Sequence, residues 1–238
     1  MIRSETKKTR LLDLVRKVGP LDVVYDCGSR DASDGLELAI ATGATELHIF
    51  ECNPPSVELC RKNVVQHKPE GLTVFINDCA ISDKPGAVSF FPIDVHQTLT
   101  PHPDGNPGAS SLFHANPKYP HEKYVQGNVI VRATTLDEYS KSHRLPDLLW
   151  MDLQGAELLA LKGGRNALRR TKVIHTEVSF RPMYQNQVLF WELDKHLRST
   201  FQRAYIEMGR WPDFLPLYQL LKTGPWTANA VYVQGQSW

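Results

Sequence analysis

Five short apolar stretches of this sequence end in or beside a carboxylate: Asp26, Glu51, Asp78, Asp152 and Glu177. If the stretches are strands of one parallel α/β sheet, these acids gather at its carboxyl edge, where such sheets bind ligands. Each then has a chemical use. Asp26 is followed by Cys27, Gly28 and Ser29, and a glycine at 28 lets main chain approach a ligand with no Cβ in the way. Glu51, followed by Cys52 and Asn53, is placed to accept hydrogen bonds from ribose hydroxyls. Asp78, Cys79 and Ala80 could hold an adenine edge through a carboxylate and a backbone N–H. Such a pocket suits a nucleoside-containing cofactor.

A dinucleotide wants the glycine fingerprint G-x-G-x-x-G, so that its pyrophosphate can lie on a helix N-terminus. Only Gly28 of that pattern is present, and Asp31 and Asp34 near the following helix would repel a pyrophosphate. This argues against a nicotinamide-dependent oxidoreductase. An acid-first D-x-G loop suits a cofactor carrying an ammonium and a sulfonium, which is S-adenosylmethionine.

The elements that must position these residues alternate along the chain. A helix is predicted over residues 4–18, closed by Gly19 and Pro20. Strands are predicted at 22–26, 47–51 and 72–76, with helices at 33–42 and 56–67 between them. Strand–helix alternation implies a parallel sheet with helices on its faces. Further strands are predicted at 87–91, 129–133, 148–152, 173–178, 204–208 and 230–233, and helices at 155–162 and 186–199. The tally is about seven sheet strands in a single domain spanning 1–238. Between 92 and 128 lies a long loop rich in proline and glycine, with His96, His102, His114 and His121. A loop of that length is usually functional or mobile, and it is read as an acceptor lid. Its histidines are too irregularly spaced to predict a metal site.

Composition narrows the class. The 238 residues carry 27 Lys+Arg against 26 Asp+Glu, a formal net charge of +1, so the basic excess of a dedicated nucleic-acid binder is missing. No apolar run is long enough to span a bilayer, and no secretory signal follows the polar start. The four cysteines, Cys27, Cys52, Cys60 and Cys79, show no C-x-x-C spacing and read as free thiols of a reducing, cytoplasmic compartment.

With these motifs in view, the sequence resembles the FkbM family of S-adenosylmethionine-dependent methyltransferases. The matching stretches are YDCGSRDASDG (25–35), FECNP (50–54), NDCAISD (77–83), GASSL (108–112), TTLDEY (134–139), WMDLQGAELLALKGG (150–164) and HTEVSF (175–180). The resemblance covers about residues 20–180. It implies a Rossmann-like sheet of seven strands, mostly parallel with the last antiparallel, helices on both faces, and methyl transfer to a hydroxyl of a small molecule, sugar or glycan. The chain departs from the family pattern at Ala32, where glycine is common, and at Met151 and Gln154, where many members carry Lys and Glu.

On this reading the cofactor is held by Asp26, Gly28, Ser29, Glu51, Asn53, Asp78, Cys79, Ala80 and Asp152. Methyl transfer to oxygen needs alignment and a proton acceptor; the candidates are Asp152, then Glu177 and His175. Bland alternatives stand beside them: Asp152 as a cap of the helix starting near Gly155, Glu157 as a first-turn acid, and His175 as a core histidine. Asp152 and Glu177, at the ends of neighbouring strands, could also hold an oxygen-liking divalent cation, although no metal is assigned. Trp191, Trp211 and Trp226 are read as core or lid. The loop of 92–128 and the segment 209–228 are taken to set acceptor choice. The other function classes are a binding module without turnover and a methyltransferase acting on RNA.

Overall fold

The computed structural model describes residues 2–207 and 226–235, with side chains from residue 10 onward. Most of the segment 209–228, including Trp211, therefore lies outside the described residues, as does Met208. Helix α1 (Ile2–Val18) opens the chain and buries Leu11 and Val15. Then follow β1 (Val23–Cys27), α2 (Ser33–Thr42), β2 (Glu46–Glu51), α3 (Pro54–His67) and β3 (Thr73–Asp78). The middle holds β4 (Ala80–Ile81), β5 (Gly86–Phe90), β6 (Val129–Thr134) and α4 (Leu136–Tyr139). The rest comprises β7 (Leu148–Met151), α5 (Glu157–Lys162), α6 (Arg165–Leu168), β8 (Val173–Ser179), α7 (Phe190–Leu197), β9 (Phe201–Glu207) and β10 (Thr227–Gln234).

Seven strands form one sheet in the spatial order β3-β2-β1-β7-β8-β10-β9. From β3 to β8 the pairings are parallel, and β10 runs antiparallel to both its neighbours. This is the Rossmann-like arrangement the motifs imply. All five residues of β1 are buried, as expected of a central strand covered on both faces. One face packs Tyr25, Phe50 and Leu149 against α5 and α7; the other packs Val24, Leu47 and Leu148 against α1, α2 and α3.

Several expectations shift: the helix predicted at 186–199 narrows to Phe190–Leu197, and the strand predicted at 204–208 begins already at Phe201. The stretches at 87–91 and 129–133 are strands, but they pair with each other and with β4 in a separate sheet of order β4-β6-β5. The third strand runs to Asp78 rather than stopping at Ile76, because the ladder to β2 continues through Asn77 and Asp78. Helix α5 begins at Glu157, not Gly155, since Gln154 (φ 51°) and Gly155 (φ 99°) hold left-handed backbone. The loop of 92–128 has internal order. Short antiparallel bridges join Phe91 to Ser111, Ile93 to Gln126 and Leu99 to Lys123. Within it, the buried Glu122 accepts hydrogen bonds from Asn106 Nδ2 (2.9 Å) and the Tyr124 hydroxyl (2.8 Å).

Two features of the β1–α2 turn set the carboxyl edge. Gly28 has φ 83°, and a Cβ there would lie 2.0 Å from the Asp152 carbonyl oxygen. The turn and the loop after β7 are thus in main-chain contact, with Asp152 N donating to Cys27 O at 3.0 Å. Below the turn, Asp26 is 1% exposed; its Oδ2 accepts from Ser29 Oγ at 2.5 Å, while Oδ1 has no partner. A Cβ on Gly35, in the first turn of α2, would fall 2.5 Å from Asp26 Oδ2, so glycine makes room for the carboxyl.

Gly28→Ala should therefore cost at least about 2 kcal/mol, from left-handed strain plus a clash with main chain that cannot retreat. Urea unfolding measures it, and a loss below about 0.5 kcal/mol would refute the contact. Burial pushes the Asp26 carboxyl up to about 7, with the Ser29 hydroxyl pulling the other way. The folded state then keeps a proton that the unfolded chain releases between about pH 4 and pH 7, so stability falls as pH rises through that window. Asp26→Asn should remove this part of the slope. Its melting temperature should gain on the wild type at pH 8 and not at pH 4; an equal difference at both would show that folding leaves the Asp26 pKa unshifted.

Candidate functional site

A cleft opens at the carboxyl edge between the ends of β1, β2 and β7. Gly28, Glu51, Asn53, Cys79, Ala80 and Asp152 line it together, although four separate loops supply them. Asp26, Ser29 and Asp78 are not on its wall. Asp26 and Ser29 are buried under the turn and face each other, with Ser29 Oγ donating to Asp26 Oδ2. Asp78 is exposed beside Cys79, whose N–H is already taken by Glu51 O and Asn77 O.

Glu51 is tied into the turn. Its Oε1 accepts from Cys52 N and Asn53 N, both at 2.8 Å, and its Oε2 from Arg30 N at 2.9 Å. A carboxylate offers about four lone-pair sites, which leaves about one, on Oε2, for a ligand hydroxyl. The expected grip on two hydroxyls thus narrows to one. Burial raises the Glu51 pKa, and these three N–H groups draw it back.

Asp152 stands at the end of the central strand and faces the open cleft. It does not cap α5: no side chain caps that helix, and Asp152 Oδ1 instead accepts from Gln154 Nε2 at 2.5 Å. Glu157, 5% exposed, holds the loop from beneath, its Oε1 accepting from Leu153 N (2.9 Å) and Gly155 N (3.2 Å). Carboxylate oxygens of Asp152, Glu157 and Glu177 lie within 4.8 Å of one another. They are the one such group among the described residues, and the four loop histidines form none. Three carboxylates this close either share protons or accept a cation. Burial pushes the Glu157 pKa up to about 7. Glu177 is raised well above the usual range by burial, then by the charges of Asp152 and Glu157. Crowding by protein raises Asp152 too, with Gln154 opposing, although water in the open cleft tempers the effect.

His175 is not brought to this group. It is 5% exposed, midway along β8, with its ring stacked on Trp150 at 3.6 Å, the placement of a core histidine. Glu177 shares its strand face but sits at the carboxyl end, where the acids meet.

Sequence reasoning missed Gln154 as a contributor and underrated the stretch from Pro107 to Leu112, which forms one side of the cleft. The GASSL motif was its only signal. Arg30 ties this wall to the β1 turn through Asp104, Nη2 to Oδ2 at 2.5 Å. At the start of α2, Asp31 Oδ1 already accepts from Ser33 N at 3.0 Å, one of the N–H groups a pyrophosphate would use. An acid-lined, phosphate-averse cleft with a glycine cradle fits the cofactor the motifs imply.

Comparison with known proteins agrees. Residues 26–206 match the model of the methyltransferase FkbM domain. The 2-O-methyltransferase NoeI of Sinorhizobium fredii is 29% identical over 190 residues, covering 75% of this chain and 71% of that protein. Among solved structures, an FkbM methyltransferase from Methylobacillus flagellatus superposes with a TM-score of 0.53 at 13% identity. The match covers 89% of this chain but only 43% of that one. Magnesium protoporphyrin IX methyltransferase from Synechocystis, solved with S-adenosylmethionine bound, gives 0.50 at 10% identity over 98% of this chain and 79% of its own. At such identities these structures establish the fold alone. From the match over most of its length, the chain belongs to the FkbM family of S-adenosylmethionine-dependent methyltransferases.

Proposed function

We propose that this chain is an O-methyltransferase that acts on a hydroxyl of a small molecule, sugar or glycan, with Asp152 as the proton acceptor. The observation that carries the proposal is the placement of Asp152 and Glu51 on walls of one cleft, the first free to face an acceptor and the second with a site left for a ribose hydroxyl. Similarity to a 2-O-methyltransferase supports transfer to oxygen. S-adenosylmethionine supplies, when bound, a methyl group already activated by a positive sulfur. The protein's task is then to align the acceptor and take its proton. A carboxylate whose pKa is raised above its ordinary value is a stronger base than one in water, and Asp152 is so placed. The stretch from Pro107 to Leu112 walls the cleft, and with the rest of 92–128 it would exclude water around the acceptor. Four buried, unpaired cysteines suit the reducing cytoplasm proposed as the site of action. The whole chain, 1–238, is read as one methyltransferase domain.

Purified protein screened for S-adenosylhomocysteine production against sugars, lipids and capped RNAs tests the reading. Product with a sugar or other small hydroxyl compound is the expected result; cofactor binding with no product from any acceptor would instead favour a binding module. Glu51→Ala should weaken cofactor binding by about 10- to 100-fold, the loss of one charge-assisted hydrogen bond. It should also lower thermal stability, because three N–H groups lose their acceptor. Unchanged affinity in calorimetric titration would remove Glu51 from the site. With the acceptor found in the screen, Asp152→Asn should cut turnover by about 10²–10⁴-fold at nearly constant cofactor affinity. Full activity would move the base to Glu177 or leave alignment alone as the catalyst.

A further inference from the structure

Gln154 occupies a position that neither helix formation nor packing explains. Its backbone is left-handed at φ 51°, directly before Gly155 at φ 99°, and a non-glycine residue pays about 1 kcal/mol or more to stay there. Three bonds hold it in place from different elements. Ser111 Oγ, on the cleft wall, donates to Gln154 O at 2.7 Å. The side-chain amide donates from Nε2 to Asp152 Oδ1 at 2.5 Å. Its Oε1 lies 2.8 Å from the hydroxyl of Tyr184, which is fully buried. That same hydroxyl lies 2.8 Å from the carbonyl of Ala109, in the 3-10 turn of the wall. One phenolic proton is therefore shared between the wall and Gln154.

The geometry points to Gln154 as a positioning residue: it orients the Asp152 carboxylate and, through Tyr184, couples that orientation to the seating of the wall formed by residues 107–112. An amide suits the bonds made here, where this chain has Met151 and Gln154 in place of the Lys and Glu of many family members. It must donate on one side, to a carboxylate, and accept on the other, from a phenol. A carboxylate there could accept from Tyr184 but would meet Asp152 as like charge. Asp34 already presents a like charge to Asp152, with Arg30 opposing it. The coupling also gives the wall a means of acting on the base. When the 107–112 stretch lifts, Ser111 leaves the Gln154 carbonyl, and the Tyr184 proton, no longer shared with Ala109, goes to the Gln154 amide alone.

The inference rests on the reading of Asp152 as the base, but its test needs neither acceptor nor cofactor. The measurement is amide hydrogen exchange of residues 107–113 in the full-length protein. Gln154→Glu, equal in size, should speed exchange about tenfold by setting carboxylate against carboxylate. Adding Asp152→Asn restores a donor–acceptor pair of reversed polarity and should bring exchange back to within about twofold of the wild type. Asp152→Ala with Gln154→Glu removes the repulsion without a donor and should not. Tyr184→Phe should speed exchange in 107–113 and in 152–155 together. Wild-type exchange in Gln154→Glu, or equal recovery with Asn and Ala at 152, would overturn the inference. If Gln154→Glu does not fold and the Asn double variant does, that recovery is itself the rescue; if neither folds, Tyr184→Phe decides, and unchanged exchange there overturns it. Failure of the methyltransferase reading would show separately, as wild-type protein that does not bind S-adenosylhomocysteine in calorimetry.

Discussion

The main-chain contact between the turn after β1 and the loop after β7 is the constraint on which the site depends. Gly28 lies so near the Asp152 carbonyl that a single Cβ would fall 2.0 Å from it. Two neighbouring parallel strands end there at the same height, and the contact holds their loops in fixed register. Glu51 is fastened to the same turn through Arg30 N, and Asp152 to the other loop through its own N–H on Cys27 O. A shift of either loop would separate the two carboxylates that face the cleft.

Around that contact the protein concentrates carboxyl groups where water is scarce. Asp26, Glu157 and Glu177 are pushed toward their neutral forms by burial, while Glu51 is stabilised by three backbone N–H groups. Such crowding opposes stability at high pH. It has a use in a site whose ligand carries positive charge and whose reaction releases a proton. The acids are not equivalent. Asp26 and Glu157 hold loops together, and Asp152 faces the cleft with a single amide to steer it.

The wall at 107–112 adds a second layer. It is joined to the β1 turn by the Arg30–Asp104 pair and to the β7 loop by Ser111 and Tyr184. The ion pair is about half exposed and contributes little to stability by itself. The buried Tyr184 hydroxyl carries more, since an unmet polar group at that depth costs about 1–3 kcal/mol. The wall is thus seated by bonds to both halves of the cleft.

Much of the architecture was legible in the sequence. Alternating apolar strands and amphipathic helices follow from local periodicity, and α2 was placed to the residue at 33–42 because turn residues mark both its ends. The acids at strand ends were legible for the same reason: a strand's direction determines which end of the sheet its last residue meets. Local pattern could not show which of those acids reach a common space. Asp26 and Glu51 both end central strands, yet one is sealed beneath Gly35 and the other opens on the cleft. His175 and Glu177 share a strand face, yet Trp150 covers the first. Gln154 stood out only as a departure from the family pattern; its bonds form where Asp152, Tyr184 and Ala109 meet in the folded chain. Periodicity and chain direction are properties of neighbours in sequence, so the sequence determined the elements and the edge of the sheet where the chemistry lies. Burial and hydrogen bonding between loops depend on approaches of an ångström or two across that edge, and only the tertiary structure decides those.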